Sequence, residues 1–324
     1  MGETNGIKVG LIVTSASHFP VNKAEESMDK IANVFPLPKK NLVGPYLIIT
    51  LEDAERTIKR FKAEVIDALV IVEGAFTWDN IPALIVQELG NLPLVMWALP
   101  EPPMMEGGKL STNSLCGTIM NCAALKKLGR KFKFVYGPPK DKKVLNSLKR
   151  YFKGISVVKK LHHSKYCLVG YRPPGFYNST FDELSVRRLF GIETIHLSLV
   201  DLLEYALNIS DEKVKEEVDK INKKWKIGEA TQKDLYNSAK FHKFLLDFSH
   251  KNKIDCYGIK CWPEFFKRSL SICFVISWLI NEGIMTGCEA DFDGTITMLL
   301  EYHLSGKTPW LADLVHINKK KNTV

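Results

Sequence analysis

The feature that most constrains this chain is its regular alternation of short apolar runs with longer amphipathic stretches. Apolar runs of strand length end near residues 14, 50, 73, 98 and 136, with the clearest at 7–14 and 66–73. Helical periodicity fills the intervals at 22–34, 51–62, 81–89, 118–128 and 140–152. Strands apolar on both faces need helices on both faces, and strand–helix–strand units join parallel strands through right-handed crossovers. The pattern restarts after residue 157, with strands at 167–170, 194–197, 254–260 and 285–289. Helical stretches separate them at 181–190, 200–207, 211–225, 231–251 and 265–281, and another follows at 295–304. The expectation is an α/β protein with two doubly wound, Rossmann-like parallel-sheet domains at 1–160 and 161–318, then a basic tail at 319–324. The length of 324 residues suits two cores, since single cores stop growing at roughly 250–300 residues.

Charge and cysteine content narrow the function classes. The net charge of +9 comes from scattered lysines that often sit near acids, as in 211–224, which describes solvated faces rather than a nucleic-acid surface. No apolar run reaches the length of a membrane span; the longest, 269–280, is that of a buried helix. The seven cysteines lie mostly inside apolar segments, which predicts reduced thiols and a cytoplasmic setting. The first residues lack the basic-then-apolar layout of a secretory signal.

In open α/β sheets, ligands bind beyond the carboxyl ends of the strands. Two acid-bearing segments fall at such places: Ile259-Lys260-Cys261-Trp262-Pro263-Glu264 and Gly287-Cys288-Glu289-Ala290-Asp291-Phe292-Asp293-Gly294. With Glu264 opening a helix and Glu289 to Asp291 still extended, adjacent strands would present three carboxylates side by side. Converging carboxylates repel unless protonated or bound to a cation, and oxygen ligands suit a hard ion such as Mn²⁺ or Mg²⁺. A plainer reading stands beside this one, in which Glu264 is a first-turn acid and Asp293-Gly294 a turn before a helix. Asn113 and Ser114 precede a helix, where they either cap it or meet a sugar hydroxyl. Phe76, Trp78 and Trp97 lie at strand ends, where an aromatic ring packs on a sugar face or into a core. His303 and the His162-His163 pair read as structural or solvated residues.

Ile66-Asp67-Ala68-Leu69-Val70-Ile71-Val72-Glu73-Gly74, Trp97-Ala98-Leu99-Pro100-Glu101-Pro102 and Asn113-Ser114-Leu115-Cys116-Gly117 resemble the L-fucose/L-arabinose isomerase group of sugar isomerases. So do Gly175-Phe176-Tyr177, Phe181-Asp182-Glu183 with Phe190-Gly191, Lys260 to Glu264, and Cys288-Glu289-Ala290-Asp291. The resemblance covers nearly the whole chain in one order. It implies aldose–ketose interconversion of a small-molecule sugar by enediolate proton transfer. It further implies a divalent metal, usually Mn²⁺, held by a glutamate, an acid of the Glu-x-Asp segment and a histidine from a C-terminal domain. By position the glutamate is Glu264 and the second acid Asp291, with Glu289 as its substitute. Glu264 and Asp291 are the implied acid/base pair, and Trp78, Trp97, Asn113 and Ser114 the implied sugar contacts.

The family continues into a third domain, whereas this sequence stops at Val324. The expectation is therefore an incomplete isomerase, inactive alone, that forms a homo-oligomer or works with a separate chain carrying the C-terminal domain. A non-catalytic sugar-binding module is the competing class.

Overall fold

Val9–Thr14 (β1) is buried at every position, as a strand must be when helices cover both faces of its sheet. The computed structural model describes residues 6–323. With Leu42–Ile48 (β2), Ala68–Glu73 (β3), Leu94–Ala98 (β4) and Lys133–Tyr136 (β5), it forms a parallel sheet in the order β2-β1-β3-β4-β5. Side-chain alternation sorts this sheet into two cores. Val9, Leu11, Val13, Val70, Val72 and Trp97 pack with Ala24 and Ile31 of Val21–Val34 (α1). Ile12, Leu69, Ile71 and Met96 pack with Ile58 and Phe61 of Leu51–Glu64 (α2) and Ile81 and Ile85 of Asn80–Leu89 (α3). Leu125 of Ser114–Lys127 (α4) joins the second core, and Val144, Leu148 and Phe152 of Lys142–Leu161 (α5) join the first. Each such side chain contributes roughly 1.5–3 kcal/mol by leaving water.

The second unit repeats the plan. Lys165–Val169 (β6), Glu193–Leu197 (β7), Cys256–Ile259 (β8) and Met285–Cys288 (β9) form a parallel sheet in the order β7-β6-β8-β9. Its helices are Glu183–Phe190 (α6), Leu199–Leu207 (α7), Lys215–Lys224 (α8), Gln232–Asn252 (α9), Cys273–Asn281 (α10) and Phe292–Ser305 (α11). Their ends carry the expected chemistry. Thr50 with Asp53 and Thr231 with Asp234 build reciprocal capping boxes on α2 and α9, and Asp182 and Ser198 cap α6 and α7. Gly191 ends α6 in the left-handed conformation that glycine adopts without strain.

The chain divides into compact units at Ser156/Val157, inside α5, a few residues before the boundary expected at 160. Helix α5 runs past residue 152 because Val157 and Leu161 bury themselves in the second unit's core. The strand ending near residue 50 begins at Leu42; as an edge strand it tolerates Pro45, which has no amide hydrogen to pair. The helix expected over 265–281 is shorter: a 3-10 turn at Phe266–Arg268 ends at left-handed Ser269, and α10 starts only at Cys273. The basic tail closes as a turn, Asn318 bridging Thr323, and Val324 lies outside the described residues. Among the described residues no helix is long and apolar enough to cross a membrane.

Candidate active site

Both sheets reverse their winding once, between β1 and β3 and between β6 and β8. The loops leaving the carboxyl ends at such reversals diverge and leave a crevice. In the second unit the loop after β6 carries Arg172, the turn after β8 carries Lys260 to Glu264, and the turn after β9 carries Glu289 to Asp291. Phe176 stacks on Trp262 with ring centroids 6.5 Å apart, joining the first two of these segments.

Glu264 sits in a turn, so it does not open an α-helix as the sequence pattern suggested. Its Oε1 takes a hydrogen bond from Lys260 Nζ at 2.6 Å, while its buried Oε2 lacks a partner. Burial pushes this carboxyl up, but the Lys260 ammonium overrides that and holds it below the ordinary glutamate range. Glu264 is therefore an ionised base with one committed oxygen and one uncommitted.

The segment after β9 corrects the expectation of an extended Glu289–Asp291 stretch. The strand ends at Cys288, and Glu289 and Ala290 both have positive φ, 56° and 57°. Two successive left-handed residues curl the chain straight into α11, with Asp291 as its cap accepting from the Gly294 amide at 3.0 Å. Glu289 and Asp291 still line one cavity of about 590 Å³, together with Cys273, Cys288, Trp310 and Asp313. Burial, followed by the charges of Asp313 and Asp291, raises Glu289 above the ordinary range. Glu264 is outside this cavity's lining, and among the described residues no three His, Cys, Asp or Glu side chains converge as a metal cage. The orphaned Glu264 Oε2 and the acidic Glu289–Asp291 pair are nonetheless oxygen donors of the type a hard divalent cation takes.

Three cysteines collect in the same place. Cys288 Sγ lies 3.2 Å from Cys261 Sγ and shares its cavity with Cys273, whose thiol is held low by the Cys288 sulfur beside it. His303 is half-buried on α11 beside Tyr302, and His162 and His163 are exposed at the end of α5.

In the first unit the structure separates the four expected sugar contacts. Trp97 is fully buried and donates from Nε1 to the Gly137 carbonyl at 2.9 Å, which leaves it no face for a sugar. Ser114 is also buried; its Oγ donates to the Glu73 carbonyl at 2.6 Å and accepts from the Leu99 amide at 2.9 Å, tying β3 to β4. Neither Ser114 nor Asn113 caps α4 through its side chain, and Asn113 takes the left-handed conformation. Trp78 is half exposed and meets Phe76 edge-on at 5.4 Å and His18 at 5.3 Å, an aromatic wall beyond β1 and β3.

Two acids here went unremarked as single residues. Glu101 accepts from the Ser111, Thr112 and Asn113 amides and from Thr112 Oγ1 at 2.5–2.8 Å, and these bonds outweigh its burial to hold it below the ordinary range. Glu73 is fully buried at the end of β3, bonded to Asn121 and Thr14, and burial pushes its carboxyl up to about 8. The signal for Glu73 was an acid closing an otherwise apolar six-residue strand.

Comparison with known proteins bears on the family rather than on single residues. Residues 10–162 match the family described as fucose/sulfoquinovose isomerase, N-terminal domain. The chain is 27% identical to a sulfoquinovose isomerase of Priestia aryabhattai over 286 residues, 87% of this chain and 64% of that protein. It is 23% identical to a sulfoquinovose isomerase of Clostridium sp. over 312 residues, 94% of this chain and 68% of the relative. The chain thus spans about two-thirds of the length of these relatives. A periplasmic ribose ABC transporter structure from Conexibacter woesei covers 95% of this chain at 14% identity, with a TM-score of 0.22, too low to bear on function. These matches support a fucose/sulfoquinovose isomerase-like family for this chain.

Proposed function

We propose that this chain carries the acid/base centre of a metal-dependent aldose–ketose sugar isomerase. The observation that carries the reading is Glu264: an ionised carboxylate at the carboxyl end of the second sheet, held by Lys260, with its other oxygen buried and unpartnered. Sulfoquinovose, the sugar in the relatives' names, is the first substrate to test.

Glu264 and Asp291 would hold the cation, Glu289 standing in for Asp291, with a histidine from a further domain completing the set as the sugar isomerase resemblance implies. The relatives' greater length leaves room for such a domain, and a chain tested without it has little or no turnover. Bound there, Mn²⁺ would polarise the sugar carbonyl as a Lewis acid and offset the negative charge that follows. The Glu264 carboxylate removes the proton from the carbon beside the carbonyl, because Lys260 keeps it ionised and aimed. Glu289, raised by burial and then by its acidic neighbours, is the group suited to deliver a proton to the neighbouring carbon or oxygen. The Asp291 bond to Gly294 fixes that carboxylate's direction. Trp262, exposed on the turn that carries Glu264, offers a face on which a sugar ring packs.

The test is Mn²⁺ titration by calorimetry together with ketose formation followed by NMR, on the full chain alone and mixed with the C-terminal third of a relative. Glu264→Gln and Asp291→Asn should each weaken Mn²⁺ by at least the roughly 10–100-fold that losing an outer-shell partner costs, abolish turnover in the mixture and leave the circular dichroism spectrum unchanged. Unaltered Mn²⁺ affinity in Glu264→Gln, or retained turnover, would remove Glu264 from the mechanism.

A further inference from the structure

The sulfur cluster is not needed for proton transfer, and its placement points to a different chemistry. Cys261 belongs to the turn that carries Glu264, and Cys288 immediately precedes Glu289. Their sulfurs are 3.2 Å apart, so closing to a disulfide length of about 2.05 Å requires little more than a side-chain rotation and a small backbone shift. Cys273, the first residue of α10, is exposed and lines the same cavity as Cys288, whereas Cys261 and Cys288 are half-buried. Three thiols in one cluster, Cys273 the most open to solvent, form an entry group, a relay and a final partner.

We propose that Cys261 and Cys288 are a reversible disulfide site, oxidised by hydroperoxides that enter at Cys273. The hydroperoxide transfers its distal oxygen to Cys273 Sγ, breaking the O–O bond and releasing an alcohol or water; Cys273 becomes a sulfenic acid. The Cys288 sulfur attacks the Cys273 sulfur, the S–O bond breaks, and water leaves with the thiol proton. The Cys261 sulfur then attacks the Cys288 sulfur, forming the 261–288 bond and returning Cys273 as a thiol. In sum, two thiols and one hydroperoxide give one disulfide, one alcohol and one water. The bond joins the Lys260–Glu264 turn to the Cys288–Asp291 turn, so oxidation pins the two acid-bearing segments together, and a dithiol releases them. The readout is covalent and stands whether or not the chain isomerises sugars.

The experiment treats the reduced full chain with hydrogen peroxide, blocks remaining thiols by alkylation and maps tryptic peptides. Expected is a link between peptides 261–267 and 269–307, with fragmentation placing it at Cys288 rather than Cys273. Two of the seven cysteines should escape alkylation and return with dithiothreitol. Cys261→Ser should divert the product to a 273–288 disulfide, and Cys288→Ser should stop oxidation at a Cys273 sulfenic acid trapped by dimedone. Cys273→Ser should slow the 261–288 link at least tenfold. Exposed Cys116 serves as the internal control. Oxidation of Cys116 as fast as formation of the link, conversion of Cys261 or Cys288 to sulfonic acid without linkage, or a rate unchanged in Cys273→Ser would overturn the proposal. Unchanged circular dichroism in each variant separates lost chemistry from lost fold.

Discussion

Replacing Glu73 by glutamine should stabilise the protein by an amount that grows with pH. The carboxyl is fully buried, and burial pushes it from an ordinary 4.5 to about 8. Below about 4.5 the group is protonated in both folded and unfolded chains, so wild type and variant should match. Between about 4.5 and about 8 the unfolded chain releases a proton that the folded chain retains, so wild-type stability falls as pH rises. Above about 8 both states are ionised and the penalty is constant. The displacement corresponds to on the order of 5 kcal/mol at the plateau, a ceiling because water entry or rotation of Asn121 and Thr14 would relax it. The amide oxygen of glutamine can still accept from Asn121, and the Thr14 hydroxyl can turn to accept from the new NH₂ group. Urea unfolding of both proteins across this pH range isolates the effect, since every other titrating group cancels in the difference. A difference that does not vary with pH would show that Glu73 is not neutral in the folded protein.

The two tryptophans should behave oppositely. Trp97→Ala should cost about 3–5 kcal/mol by emptying the first core. Trp78→Ala should leave unfolding nearly unchanged, since its ring is half exposed; equal effects of the two on stability would refute their separation. Tyr166 and Gly258 give a paired test. A Cβ at Gly258 would lie 1.8 Å from Tyr166 Oη, so Gly258→Ala should destabilise by roughly 1–3 kcal/mol or more. Tyr166→Phe removes a buried hydroxyl that lacks a partner, so alone it should be neutral or stabilising and should rescue part of the Gly258→Ala loss. Additive effects in the double variant, measured by thermal melts, would contradict the contact.

Fold class was legible because it rests on period and burial. Strands such as Val9–Thr14 and Ala68–Glu73 are apolar on both faces, and no arrangement except a sheet covered on both sides buries them. Element ends were less legible because they depend on tertiary partners. The continuation of α5 to Leu161 is decided by a second core that no local window contains. The late start of α10 follows from the left-handed turn at Ser269, a conformation its residue type does not announce.

The site shows the same division between residue type and geometry. Acids clustered after β8 and β9 could be read from position alone, but their directions could not. Alternation assumes an extended chain, and the left-handed pair Glu289–Ala290 breaks that assumption within two residues. Close packing gives a reason for the break: a Cβ at Gly287 would meet Thr295 Oγ1 at 2.1 Å and the Asp291 carbonyl at 2.8 Å, so α11 comes down directly onto the strand end. Asp291 is drawn into capping that helix, while Glu264 is aimed by Lys260 four residues before it. The capping role of Asp291 and a ligand role are compatible, because a carboxylate that gives one oxygen to a backbone amide can hold the other in a fixed direction. A cap residue that also served as ligand would resist Asp291→Glu, since the longer side chain could keep the charge but not both contacts. Loss of Mn²⁺ affinity together with loss of α11 stability in that variant would mark the dual role; loss of helix stability alone would leave Asp291 a cap and shift the ligand to Glu289.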